Sequence, residues 1–314
     1  MNFTNIQRTF SFEELSSNKP KTEEELLNLI LDKKQYYENL TKIEDKYLLH
    51  SDYYDRIALI DADYIPYKVA HITDNLLSAY NIIYNILYGI MLNTKSSHFI
   101  LFHTTSCNFR TNVADNYKEN RKDTNVKTEF YYEVRNMMKT LWNSCAYKCY
   151  EADDLVTMSH LKIGQFKSVI VSPDKDLLQV YPSVIYNPNK NVLVKVNDKI
   201  GSLNKTTKQK INKKTGAVRN LSKITGKGTK FLFWQLLVGD STDNIKGIPG
   251  VGAVKAYDLL NNCTTLQEML DTCKDAYNDY YNNKGFKMLK MNFELLYMQT
   301  KDTSFKIPKP LILI

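Results

Sequence analysis

Short apolar runs alternate with helix-length segments through the middle of the chain. Arg56-Ile-Ala-Leu-Ile60, His98-Phe-Ile-Leu-Phe102 and Ser168-Val-Ile-Val171 are nearly continuous in β-branched and apolar residues. Strands of that kind are buried on both faces, which is the pattern of a parallel sheet covered by helices. Between them the spacing predicts helices over Asn75–Asn93 and Glu129–Asn143, and a shorter one after Asp153. The alternation predicts an α/β fold with a parallel central sheet flanked by helices. Ser183–Tyr186 and Val192–Val196, around Asn187-Pro-Asn-Lys-Asn191, predict an edge hairpin. From Phe231 onward the pattern turns helical, including Leu266–Ala276 and Phe286–Gln299. Upstream, a helix is predicted over Thr22–Tyr47, opening on Thr22-Glu23-Glu24-Glu25. The chain therefore divides into an N-terminal helical extension (1–52), an α/β core (53–198), a basic insertion (199–230) and a helical part (231–314).

Composition narrows the class. An apolar content of 43% and a mean hydropathy of -0.41 describe a soluble globular protein. The most apolar long segment, Leu76–Leu92, is broken by Ser78, Asn81 and Asn85, and is shorter than the ~20 residues a membrane span needs. No secretion signal opens the chain, so a cytoplasmic location without membrane contact is expected. The 5 cysteines are an odd number at no paired spacing, which suits a reducing compartment better than a disulfide framework. Cys145 and Cys149 have no second Cys/His pair nearby, so no zinc site is expected. The net charge of +8 is uneven: Lys195–Lys230 holds ten Lys and one Arg against Asp198, or +10, leaving −2 for the rest. Such a block suggests a polyanion contact; a merely solvating loop is the plain alternative.

The acids sit where the topology would place a ligand. Asp61, Asp63, Glu151, Asp153, Asp154, Asp174 and Asp176 follow predicted strand ends or open helices, and parallel sheets bind ligands at their carboxyl ends. Asp240 and Asp243, three apart, are expected on one helical turn. Carboxylates crowded without cations repel each other, and divalent metal relieves this. Magnesium takes oxygen ligands, and two ions ~4 Å apart can activate water and stabilise a leaving oxygen. Singly, each acid has a plainer reading: Asp61 as a helix cap, Asp153 and Asp154 as helix-start acids, Asp63 as a surface or outer acid. Gly250-Val251-Gly252 with Lys255 suits a close approach to phosphate. In Asn116–Arg121, Lys118 and Arg121 are predicted on one helical face beside Tyr117, a grouping suited to a scissile phosphate and a stacked base. Lysine and arginine pairs also commonly just lie in solvent.

Six stretches between Ile57 and Leu260 are familiar together: LIDADY (Leu59–Tyr64), FR (Phe109-Arg110), YKENR (Tyr117–Arg121), YEADD (Tyr150–Asp154), VSPDKDLLQV (Val171–Val180) and GDSTDNIKGIPGVG (Gly239–Gly252). In this order they resemble the 5′-nuclease family of flap endonucleases, phage 5′–3′ exonucleases with RNase H activity, and the 5′-nuclease domain of bacterial DNA polymerase I. The resemblance implies a PIN-like nuclease core, a helical arch at about 104–128, and a helix–three-turn–helix gripping duplex DNA at about 237–262. It implies metal binding by Asp61, Glu151, Asp153 and Asp154, with Asp174, Asp176, Asp240 and Asp243 completing the cluster. Lys118 and Arg121 would be the catalytic cations and Tyr117 the stacking aromatic. Arg110, Gly250, Gly252 and Lys255 would contact DNA, with a potassium ion at the hairpin carbonyls.

One departure stands out. His103 occupies a position where the family usually places a metal-binding Asp. Imidazole suits softer metals, so Asp63 or water fills the gap, manganese is favoured, or the site is weakened. The implied activity is removal of 5′ flaps or RNA primers using two magnesium ions, with manganese as a substitute. Its substrates are DNA flaps and 5′ ends, with RNA–DNA hybrids in addition. Replication or single-strand-binding proteins are the expected partners, the protein a monomer, and no polymerase domain follows. The Lys/Asn/Ile/Tyr-rich composition suits a bacteriophage source. The alternatives are a non-catalytic DNA-junction binder with a degraded metal site, and a single-strand ribonuclease, which would not need the Gly250–Lys255 hairpin.

Overall fold

The computed structural model describes residues 20–28, 56–121, 127–211, 218–304, 306–308 and 310–311. Its central sheet comprises β1 (Ile57–Asp61), β2 (His98–Phe102), β3 (Ser168–Val171), β4 (Ser183–Asn187) and β5 (Val192–Val196), in spatial order β2-β1-β3-β4-β5. β1 to β4 run parallel and β5 returns antiparallel at the edge. Ala58, Leu59, Ile60, Val169, Ile170 and Val171 are all fully buried, because both faces of the sheet are covered. On one face α1 (Tyr64–Ala70), α2 (Leu76–Thr94) and α3 (Glu129–Trp142) pack Ile65, Ile83, Leu87, Val134 and Met138 against Ala58, Ile60 and Leu101. On the other, α4 (Ala152–Ile163) packs Leu155 and Val156 against Leu59, Ile100 and Ile170.

A second core is built by α5 (Thr229–Val238), α6 (Ala253–Leu260), α7 (Leu266–Tyr281) and α8 (Gly285–Leu296). It joins Phe231, Leu237, Leu260, Met269, Tyr277 and Leu289. Near the other end of the chain, residues 23–28 are helical. Thr22 caps them, its hydroxyl accepting from the Glu25 amide at 3.1 Å, and Leu26 is buried in the first core. The rest of the helix expected to Tyr47 lies outside the described residues. Among the described residues no helix is long and apolar enough to cross a membrane.

Three expectations and one alternative are corrected. The basic insertion is a ribbon of β6 (Ser202–Ile211) and β7 (Val218–Lys227) in continuous antiparallel register, not a loop. Leu203 and Ile224 anchor its base in the second core beside Phe231. The described part of the expected arch is not a long helix: it holds short 3-10 turns at Phe109–Asn112 and Glu119–Arg121. Lys118, at φ 56, is left-handed there and interrupts any helix. Asp240 and Asp243 do not share a helical turn either. β8 (Gly239–Asp240) pairs with β9 (Ile245–Lys246), and Asp243 ends the 3-10 turn between them. Finally, Cys107 and Cys149 form a disulfide. The Phe109 amide donates to the Cys149 carbonyl at 2.9 Å, which lays the two segments side by side.

Candidate metal centre at the carboxyl ends of the strands

Parallel strands deliver their following residues to one edge. Asp61 ends β1 and His103 follows β2, while Asp174 and Asp176 come just after β3 and Glu151 and Asp153 stand at the start of α4. Asp61 accepts the Ser172 hydroxyl at 2.8 Å. Burial, with Asp63 and Asp174 close by, pushes its carboxyl up to about 7. Burial and then Asp174 push Asp176 up to about 6, although Gln235 donates to it at 2.7 Å. Burial, Glu151 and Asp154 raise Asp153 well above the usual range. These are carboxylates short of positive charge.

Cations supply part of what is missing. Lys175 lies 2.9 Å from Asp176 and 2.6 Å from Asp240. Burial alone would raise Asp240, but the Lys175 ammonium outweighs it and holds it low. Sequence reasoning passed over Lys175; its place between two acids in Pro-Asp-Lys-Asp was the available signal. Lys118 pairs with Glu151 and lies 3.6 Å from Asp243, and Arg121 pairs with Asp243. Glu151 stays low because Lys118 and Arg110 outweigh its burial, whereas burial leaves Asp243 raised despite Lys118 and Arg121.

Lys118 and Arg121 reach these acids because their segment docks on the turn after β8. The Lys118 amide donates to the Asp243 carbonyl at 3.0 Å. Asn120 Nδ2 donates to the Ser241 carbonyl at 2.7 Å and Arg121 Nε to the Thr242 carbonyl at 3.1 Å. Asn244 Nδ2 donates back to the Asn116 carbonyl at 2.8 Å. The two cations thus converge through a docked turn rather than along a helical face.

Three sequence assignments change. Asp154, expected as a metal ligand, is fully buried and committed elsewhere. Arg110 grips it with both Nη atoms at 2.7 and 2.9 Å, and the Gln299 amide donates to it at 2.9 Å. Glu151, Asp153 and Asp154 do bring carboxylate oxygens within 4.8 Å of one another, but the oxygens of Asp154 are already filled. Arg110, expected on DNA, is 1% exposed; it also donates to Glu151 and to the carbonyls of Leu295 and Tyr297. Tyr117, expected to stack on a base, is buried in the second core. Its hydroxyl lies 2.9 Å from Glu151 and 3.2 Å from Asp243.

His103 is buried, with Nδ1 3.2 Å from Asp63. Among the described residues, its Nε2 is buried without a hydrogen-bond partner. Asp63 also accepts from Thr104, and these bonds hold it low against burial. A carboxylate that orients an imidazole whose other nitrogen is unpaired matches the outer support of a metal-binding histidine. With Asp154 closed by Arg110, seven carboxylates remain: Asp61, Glu151, Asp153, Asp174, Asp176, Asp240 and Asp243. They face three cations, Lys118, Arg121 and Lys175, and with Asp63 beside Asp61 the ionised carboxylates outnumber these cations by five. Hard oxygen donors with uncompensated charge fit divalent ions. Beyond them, Gly250, at φ 80, and Gly252 have open space where a Cβ would stand, and Lys255 is exposed.

An oxygen-rich, cation-flanked centre at the carboxyl edge of a parallel α/β sheet defines a metal-dependent nuclease. Residues 56–216 match the sequence model of the 5′–3′ exonuclease N-terminal resolvase-like domain. The protein belongs to that family and is a 5′-nuclease. It is 24% identical over 239 residues to a 5′–3′ exonuclease of Mycoplasmopsis pulmonis, covering 71% of each chain. It is 30% identical over 169 residues to one of Aquifex aeolicus, covering 51% of this chain and 52% of that one. Among solved structures, the T5 D15 protein co-crystallised with metal ions has a TM-score of 0.46 at 13% identity, over 76% of this chain and 99% of that one. The catalytic core of Rad2 in complex with DNA substrate has a TM-score of 0.38 at 11% identity, over 77% and 73%.

Proposed function

We propose that the protein hydrolyses phosphodiester bonds at 5′ flaps and 5′ ends of DNA, and of RNA–DNA hybrids, with two divalent ions seated among these seven carboxylates. The observation that carries this reading is the excess of negative charge, which divalent ions would offset. Bound ions supply positive charge that lowers the pKa of an attacking water and offsets charge on the leaving oxygen. The chain's own groups position and steer. Lys175 holds Asp176 and Asp240 toward the centre. Lys118 and Arg121 exchange their carboxylates for the scissile phosphate and neutralise charge gathering on it. His103 Nε2 offers a nitrogen ligand, which favours manganese beside magnesium. The open turn at Gly250 and Gly252, with Lys255, takes duplex phosphates on its amides, and a potassium ion at its carbonyls fits the same role.

Cleavage of a 5′-labelled flap duplex with magnesium and separately with manganese tests this, comparing the wild type with Asp153→Asn. The expected product lies near the junction and disappears in the variant. Tight flap binding without cleavage by either metal would refute it and leave a junction-binding protein.

A further inference from the structure

The β6–β7 ribbon lies apart from the acids of the metal centre and is strongly basic. Residues 202–227 contain seven lysines and one arginine, with neither an acid nor an aromatic residue. A two-stranded ribbon is marginal alone in water, and like charges along it add repulsion. Its base is secured on one face by Leu203 and Ile224 in the second core. Lys205 ties it to α6, lying 3.6 Å from Asp258 and 5.5 Å from the centre of the Tyr257 ring. That helix carries Lys255 in its first turn.

The opposite face is left to solvent. In the ladder Thr206 pairs with Lys223 and Lys208 with Leu221, so the pleat puts Lys208 and Lys223 on the same side. Both are exposed, and among the described residues neither has a carboxylate partner. The register next pairs Lys210 with Arg219. A strand of 10 residues spans roughly 30 Å, close to nine base pairs at ~3.4 Å each. With no aromatic to stack on unpaired bases, such a surface reads backbone charge and spacing. Lysines, threonines and asparagines are the donors that meet phosphates.

We infer that this ribbon is a second nucleic-acid site, an arm whose Lys208/Lys223 face lies along the phosphate backbone of duplex DNA. It extends the grip begun at Gly250–Lys255. The inference rests on the nuclease reading for the choice of DNA, but it concerns binding alone.

The test is anisotropy in EDTA on a duplex of about 24 base pairs, a duplex of about 10, and a single strand of about 24 nucleotides, across salt concentrations. The variant is Lys208→Ala/Lys223→Ala. On the long duplex its log K against log salt slope should be shallower by about 1.8, with affinity tens of fold lower at 0.1 M salt. The short duplex and the single strand should be nearly unaffected. The pair Lys162→Ala/Lys167→Ala, at the opposite end of the sheet, removes the same charge and should change little. An unchanged slope, an equal loss on single strands, or the same loss from the control pair would each overturn the arm. Cleavage is not the readout, so a wild type that binds without cutting would defeat the nuclease reading and leave this result standing.

Discussion

Removing the Arg110 side chain should unfold the protein more readily without touching any exposed surface. In Arg110→Ala, Asp154 and Glu151 lose their shared cation, and the carbonyls of Leu295 and Tyr297 lose their donors. Breaking a buried ion pair from one side costs about 3–5 kcal/mol, and each orphaned carbonyl adds about 1 kcal/mol. The sum, about 5–7 kcal/mol, is a large share of the ~5–15 kcal/mol typical of a folded domain. With an m-value near 3 kcal/mol/M, the urea midpoint should fall by about 1.7–2.3 M. The assay is urea unfolding followed by circular dichroism in EDTA, without DNA. Arg110→Met with Asp154→Leu, which removes both charges, should recover part of the loss. An unshifted midpoint in Arg110→Ala, together with weakened duplex binding, would refute the reasoning and return Arg110 to the DNA surface.

Other expectations follow from the same contacts. Asp61 and Asp176 titrate in the folded state at about 7 and about 6, above their ordinary value of 3.8. The folded metal-free protein therefore holds protons that the unfolded chain has released, and their contribution to stability is lost as pH rises through roughly 4 to 7. Divalent ions replace those protons, so the gain in melting temperature from magnesium or manganese should widen from pH 5 to pH 8; an equal gain at both would contradict this. His160, held at about 4 by burial, acts in the opposite sense but in both curves alike. Gly247→Ala should destabilise by about 1–3 kcal/mol, since its Cβ would stand 2.3 Å from the Val238 carbonyl carbon. Gly252→Ala meets nothing within 4 Å, and should leave the melting temperature nearly unchanged while weakening duplex binding. A cooperative melt at the wild-type temperature for Gly247→Ala, or undiminished affinity for Gly252→Ala, would count against these readings.

The sheet was legible because burial on both faces leaves a simple mark, the uninterrupted apolar run, and the acids were legible because they stand where those runs stop. What failed to show was partnership. Whether Asp154 faces an ion or Arg110 depends on a residue 44 positions away, and nothing local to Glu-Ala-Asp-Asp encodes the answer. The ribbon escaped for another reason. Lysine, threonine and asparagine dominate the strands, which leaves Leu203 and Ile224 at the base as the ribbon's buried apolar anchors among the described residues. The sequence suggests one helical face for Lys118 and Arg121 because the left-handed turn at Lys118 has no glycine to announce it.

Lys118 and Arg121 occupy the carboxylates that would receive ions, and the chain itself tethers them there. A tethered competitor acts at millimolar effective concentration, so an ion arriving alone must displace an ammonium that never diffuses away. A phosphate that captures Lys118 would remove that competition at Glu151. Linkage then works both ways: DNA raises the affinity for metal, and metal raises the affinity for DNA by the same factor. On the proposed reading, ions bind alone but bind more tightly once a substrate has drawn Lys118 away.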